Sequence, residues 1–165
     1  MTTEALDTNW QSPERQALRS AVTDLTAAEI APHLAGWEDA GQLPRELHAQ
    51  VADAGFLSVG FAEEVGGVGG SMIDSSIVSE AIVEAGGSSG VLSALFTHGI
   101  ALPHIVSTGN ADLIDRYVRP TLAGQLIGSL AVTEPRGGSD VAALTTRAER
   151  DGSDYVVNGA KTFIT

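Results

Sequence analysis

The densest run of chemistry-bearing residues is Ala131-Val-Thr-Glu-Pro-Arg-Gly-Gly-Ser-Asp140. Thr133, Ser139 and the backbone N–H groups around Gly137-Gly138 bring many hydrogen-bond donors into one short segment, and the glycines free its backbone. Such a concentration of donors suits an anionic or carbonyl-rich ligand. Taken alone, the same segment is equally an ordinary polar loop. Further on, Phe163 and Thr165 stand two residues apart, so on a strand they project from one face and set an aromatic wall beside a hydroxyl. That pair suits the flank of a flat heterocycle, or ordinary packing on a sheet face.

Other templates are missing. No G-x-x-x-x-G-K-[ST] occurs, and the glycines from Gly66 to Gly70 lack both the G-x-G-x-x-G spacing and a preceding strand. No H-E-x-x-H occurs; His98 and His104 are separated by Pro103 at a poor metal spacing, and read as core or boundary histidines. No metal ligand and no catalytic residue is nominated. Glu134 and Asp140 read as turn and boundary groups. With no cysteine in the chain, disulfides, thiolate nucleophiles and Cys-ligated metals are excluded, so redox work requires a cofactor.

The 165 residues carry 9 basic and 21 acidic side chains, a formal charge of −12. That balance opposes binding to nucleic acid or to anionic membranes, both of which depend on clustered Lys and Arg. With 43% hydrophobic and 18% charged residues, the chain has the composition to bury a core. Met1 to Asp7 has acids and no basic residue, unlike a leader peptide. Val91 to Val106 is interrupted by Ser93, Thr97, His98, Pro103 and His104, and is expected to fall short of a membrane span. A cytoplasmic protein is expected.

The elements that must position the donors follow from caps and periodicity. Ser12-Pro13-Glu14 starts a helix that should run to about Ala31, ahead of Pro32. Leu43-Pro44-Arg45-Glu46 opens a second, through Ala54, with Gly55 as its stop. Residues 56–70 hold too many glycines for regular structure and read as a loop. Ser71 to Asp74 resembles a capping box for a third helix, to Ala85. A fourth, strongly apolar helix covers Gly90 to Ser107, and a fifth runs from Asn110 through Leu122. Beyond Gly124 the pattern turns to strands: Ile127 to Thr133, Leu144 to Arg150, Tyr155 to Val157, and, across an Asn158-Gly159 hairpin signal, Lys161 to Thr165. The class is α+β, an all-helical domain over residues 1–126 followed by the first strands of a β domain over residues 127–165. Phe163-Ile164-Thr165 leaves an uncovered strand edge, which predicts the front part of a larger protein.

Ala131 to Asp140, Thr145-Thr-Arg-Ala-Glu-Arg150 and Tyr155-Val-Val-Asn-Gly-Ala-Lys-Thr-Phe-Ile-Thr165 together resemble the first signature of the acyl-CoA dehydrogenase family, A-x-T-E-P-x-x-G-S-D followed by N-G-x-K-x-[FW]-I-T. Phe61 to Gly70 resembles that family's loop between its second and third helices. The resemblance implies a helical N-terminal domain, a middle β domain and a C-terminal helical domain, with this chain truncated relative to that fold. It implies FAD as cofactor and α,β-dehydrogenation of an acyl-CoA thioester to the 2-enoyl-CoA, with a base supplied by a glutamate of the C-terminal domain. By position, Leu130, Val132 and Thr133 would line the pyrimidine side of the flavin, and Gly138 and Ser139 would meet its pyrophosphate, Ser139 also approaching the acyl-CoA. Phe163 would pack on one flavin face and Thr165 would bond near N5. Leu95 and Phe96 would line the acyl cavity. Electron-transfer flavoprotein would be the acceptor, and a homo-oligomer, tetramer or dimer, is implied. The portion alone is expected to be inactive. Flavin oxidases and monooxygenases share the architecture, and a non-catalytic short subunit pairing through the Lys161 to Thr165 edge is a further reading.

Overall fold

The computed structural model describes residues 9–165; the acidic stretch at Met1 to Asp7 lies outside them. The described residues form two compact units, residues 9–128 and 129–165.

The first unit is helical. Ser12 accepts a hydrogen bond from the Arg15 N–H at 3.3 Å and starts α1, Pro13–Leu25. The chain then widens into a π-helical turn, Thr26–Ile30, closed by Ala31 N–H to Thr26 O at 2.9 Å. Pro32 ends the helix as expected. A short helix that the sequence reading did not foresee follows, α2, Leu34–Ala40, stopped by Gly41 in the left-handed conformation. Next come α3, Arg45–Asp53, and two 3₁₀ turns, Phe56–Ser58 and Glu63–Val65. The glycine-rich loop is thus tightly wound, and a Cβ on Gly67 would sit 1.9 Å from the Phe61 carbonyl oxygen.

The capping box at Ser71 forms, with Asp74 accepting from the Ser71 N–H at 2.7 Å, and opens α4, Met72–Glu84. The expected fourth helix is two, α5, Ser89–Phe96, and α6, His98–Val106, broken at Thr97. Contrary to expectation, Ser89–Val106 is long and apolar enough to cross a membrane by length and composition. Here Val91, Leu95, His98 and Leu102 along it are buried within the unit. Asn110 caps the last helical run, α7 at Ala111–Leu113, a π-helical turn at Ile114–Val118 and α8 at Arg119–Leu122. The widened turn precedes Pro120, whose ring would collide with the Arg116 carbonyl in a regular α-helix.

Val22, Ile30, Leu47, Val51, Val78, Ile82, Val91 and Leu95 form the main core, and Val65, Leu102, Val118 and Leu122 a second. Each such side chain contributes about 1.5–3 kcal/mol by leaving water. Beneath the capping box, Arg15 is only 6% exposed and its Nε donates to Asp74 Oδ1 at 2.8 Å, tying α1 to α4.

The second unit holds an antiparallel hairpin of β1, Arg147–Asp151, and β2, Asp154–Asn158, turning at Gly152. Ile127 to Thr133 and Lys161 to Thr165, expected as strands, are not. A strand needs a neighbour for its ladder, and the described residues give these segments a single backbone bond to each other, Thr162 N–H to Thr133 O at 3.0 Å. Asn158-Gly159 makes no hairpin: Gly159 crosses Thr146 so closely that a Cβ would lie 2.2 Å from its hydroxyl, and the chain leaves the sheet there. Phe163 has φ of 55°, so the alternation that put Phe163 and Thr165 on one strand face does not hold.

The Arg15 guanidinium beside Asp74, reinforced by the Ser71 hydroxyl and N–H, holds the Asp74 carboxyl well below the usual carboxylate range. A carboxylate with a lowered native pKa stabilises the fold above its unfolded value, near 3.9, and that contribution fades as pH falls toward the native value. Asp74→Asn removes the carboxylate charge that faces Arg15 and ties α1 to α4, and is expected to cost about 2 kcal/mol. Urea denaturation followed by circular dichroism at pH 7 checks it; repeated at pH 3, the difference between the two proteins should shrink.

Candidate functional site

In the second unit, two polar systems organise the segment from Leu130 to Asp140. Glu134 and Gly137 bond reciprocally through their backbones, at 2.9 and 3.0 Å, closing a tight turn around Pro135-Arg136. The Glu134 side chain, 4% exposed, turns inward. Its Oε2 accepts from the Thr145 N–H at 2.8 Å and the Thr145 hydroxyl at 2.7 Å; its Oε1 accepts from the Thr146 N–H at 2.9 Å and from Lys161 Nζ at 3.0 Å. Lys161 Nζ also donates to the Val132 carbonyl at 3.0 Å. The neighbouring Thr146 hydroxyl, the Thr145 hydroxyl and the two N–H groups hold the Glu134 carboxyl well below the usual carboxylate range. The Thr146 hydroxyl itself stays outside hydrogen-bond geometry, so the direct donors to the carboxylate are the Thr145 hydroxyl, the two N–H groups and Lys161 Nζ.

The carbonyls on either side of the Val132–Thr133 link are therefore occupied, Val132 O by Lys161 and Thr133 O by Thr162. Among the described residues the N–H groups of Val132, Thr133, Gly138 and Ser139 and the hydroxyls of Thr133 and Ser139 have no partner. Gly138 passes beside Thr133, where a Cβ would meet the hydroxyl at 3.5 Å. At Val132 and Thr133 the donors are thus free while the carbonyls are taken, whereas at Gly138 and Ser139 the carbonyls as well as the N–H groups have no partner among the described residues. Leu130 is 38% exposed, while Phe163, the one non-glycine residue at positive φ among those described, holds its ring 93% exposed. A bulky residue in that region is strained, and such strain concentrates at binding sites. Thr165, two residues beyond, is exposed. Sequence reasoning picked out the donors but gave Lys161 no role and Glu134 only that of a turn residue.

The helical unit contains a cavity of about 490 Å³ between the loop at residues 56–65, α4 and the α5–α6 junction. Phe56, Phe61, Val78, Phe96 and Val106 make its walls apolar, with Ser75, Ser79 and His98 as polar points. Such a volume accommodates a small organic ligand or an extended apolar tail. Phe96 lines it, whereas Leu95 is turned into the core at 1% exposure. His98, buried, faces two carbonyls, Nε2 to Leu57 O at 2.8 Å and Nδ1 to Leu95 O at 3.0 Å, and stacks on Phe61. Burial pushes its pKa down. Gly86-Gly87-Ser88-Ser89-Gly90 has the letter spacing of a hydrolase elbow, but Ser88 follows a helix and its hydroxyl donates to Glu38 at 2.6 Å while accepting the Val91 N–H. It is a helix cap. No cluster that could hold a metal ion occurs among the described residues.

Residues 12–125 match the acyl-CoA dehydrogenase N-terminal domain and residues 129–165 the middle domain of the same enzymes. The chain belongs to the acyl-CoA dehydrogenase family. A probable acyl-CoA dehydrogenase from Mycobacterium abscessus is 62% identical, with a TM-score of 0.91 over 94% of this chain and 41% of that one. The mitochondrial long-chain specific acyl-CoA dehydrogenase of Sus scrofa is 37% identical over 155 residues, 93% of this chain and 35% of the relative. A glutaryl-CoA dehydrogenase from Mycobacterium smegmatis, solved in complex with FADH2, shares the fold at 24% identity, with a TM-score of 0.83 over 96% of this chain and 41% of that one. The chain spans about two fifths of these acyl-CoA dehydrogenases, and its α+β architecture is a truncated portion of the family fold.

Two outcomes are expected from the site geometry. Because the His98 pKa is lowered, protonation opposes the native state, so the helical unit should lose stability as pH falls below about 6.5. Thermal melting between pH 7 and 5 should show that slope, and His98→Phe should flatten it. In the second unit, Glu134→Ala frees the Thr145 and Thr146 amides, whose hydrogen exchange should quicken about tenfold, measured by NMR against the unchanged amides of α1.

Proposed function

We propose that this chain provides the helical domain and the opening of the middle domain of an FAD-dependent acyl-CoA dehydrogenase, which converts an acyl-CoA thioester to the 2-enoyl-CoA. The observation that carries the reading is the donor surface at Val132, Thr133, Gly138 and Ser139, standing in a chain matched by both domain models of the family. An isoalloxazine ring presents carbonyls along its pyrimidine edge and a pyrophosphate presents anionic oxygens; both require donors, and unpaired donors stand at Val132, Thr133, Gly138 and Ser139. The fully exposed ring of Phe163 fits a flat partner that would cover it. The residues fit the cofactor.

FAD, when bound, supplies the two-electron acceptor that makes removal of an α-proton an oxidation. The chain's own contribution is to bind and to exclude water. The Val132 and Thr133 N–H groups and the Thr133 hydroxyl hold the carbonyl edge, and Gly138 and Ser139 hold the anionic link. Leu130 and Phe163 shield the ring from solvent, with Thr165 beside it. The apolar cavity with Phe96 in its wall takes the acyl chain, while Leu95 supports that wall from the core side. Electron-transfer flavoprotein is the proposed acceptor and a homo-oligomer the proposed assembly.

The natural polypeptide that carries these residues tests the proposal. It should purify with the visible spectrum of oxidised FAD, and anaerobic addition of acyl-CoA should bleach that spectrum; a colourless protein, or one that acyl-CoA leaves yellow, contradicts it. Thr133→Val, which removes one hydroxyl, should weaken FAD binding by about fivefold, read by titrating the apoprotein.

A further inference from the structure

Glu134 and Lys161 are 27 residues apart in sequence, and the bond between their side chains is not one that the turn at residues 134–137 requires. The carboxylate receives four hydrogen bonds, two at each oxygen, so its acceptor capacity is used within the unit. This arrangement leaves no lone pair aimed outward to take a proton from a substrate. Lys161 divides its donors between that carboxylate and the Val132 carbonyl. A charged donor on the Val132 C=O polarises the peptide it belongs to, and the other end of that peptide is the N–H of Thr133, one of the unpaired donors. The cation thus stands one peptide unit away from the donor surface without facing the ligand itself.

Resting on the flavin reading above, we infer that Lys161, held by Glu134, is a positioning residue that fixes the Val132–Thr133 peptide and strengthens its N–H as a donor to the flavin edge. The charge pair acts in two ways. It locks the turn in the orientation that aims its donors outward, which lowers the ordering cost of binding. It also places positive charge behind a donor to the flavin, which favours the reduced, more electron-rich form of the cofactor. Glu134 is needed because a lysine left 23% exposed without a partner would turn to solvent and release the peptide.

The test uses the natural holoenzyme carrying these residues, with Lys161→Met, Glu134→Gln, the double variant and Lys161→Arg. FAD dissociation constants come from titration of the apoproteins, midpoint potentials from spectroelectrochemistry, and integrity of the helical unit from circular dichroism. Each of the first two substitutions should raise the dissociation constant about tenfold, the scale of one charge-assisted hydrogen bond. Each should move the flavin potential to a more negative value. The double variant should be scarcely worse than either single one, since both break the same link, and Lys161→Arg should restore most of the affinity. Variants that bind FAD as tightly as the parent at an unchanged potential overturn the inference, as do additive losses or an affinity that Lys161→Arg fails to recover. A parent protein without flavin overturns the flavin reading first, and this inference with it.

Discussion

A carboxylate taken out of water has to be paired and hydrogen-bonded, or it will take up a proton. Glu134 meets that requirement with Thr145, Thr146 and Lys161, and the layout of the second unit follows from it. Its partners stand 11, 12 and 27 residues away, so one side chain gathers the turn at residues 134–137, the start of the hairpin and the segment leading to Phe163. The hairpin alone could not do this. A two-stranded sheet exposed on both faces has little stability of its own in water, and every residue of β1 and β2 is exposed. The charge cluster, rather than apolar burial, is what holds these loops in one arrangement.

The helical unit solves the opposite problem. Its core is apolar and extensive, and three of the polar side chains that enter it join elements. Arg15 and Asp74 bind the start of α1 to the start of α4, and His98 binds the α5–α6 junction to the loop at Leu57. His98 is held between two carbonyls, and a neutral imidazole has one proton to share between them. The ring therefore fixes the wall of the apolar cavity on which Phe61 and Phe96 also lie. The rigid walls around an apolar space suit a hydrocarbon, and the unpaired donors of the second unit suit carbonyl and anionic oxygens.

Local chemistry made part of this legible in the sequence. Ser12, Ser71 and Asn110 each start a helix because a cap acts within three or four residues, and the donor-rich segment stands out for the same reason. The helix Leu34–Ala40 was missed because His33 gives it no side-chain cap and none of its residues is fully buried, so neither signal marks it. Ile127 to Thr133 and Lys161 to Thr165 read as strands from composition, but strand formation is decided by a neighbour, and the neighbour is not encoded locally. The error mattered for the site. Strand alternation put Phe163 beside Thr165, whereas the backbone at Phe163 is left-handed and its ring stands free. The role of Lys161 was hidden because its partner lies far away in sequence, and only the fold brings the two charges together.

The claim beneath all of this is that Glu134 is a fully ionised, fully engaged structural anion, and the direct measurement is its own titration. With the glutamate side-chain carboxyls enriched in ¹³C, the Glu134 resonance followed by NMR from pH 7 downward should stay at its ionised position through the ordinary glutamate range near about 4.3. It should move only at more acid pH, as the second unit opens. A Glu134 carboxyl that titrates within or above the ordinary range, with the Thr145 and Thr146 amides unmoved, would contradict the account.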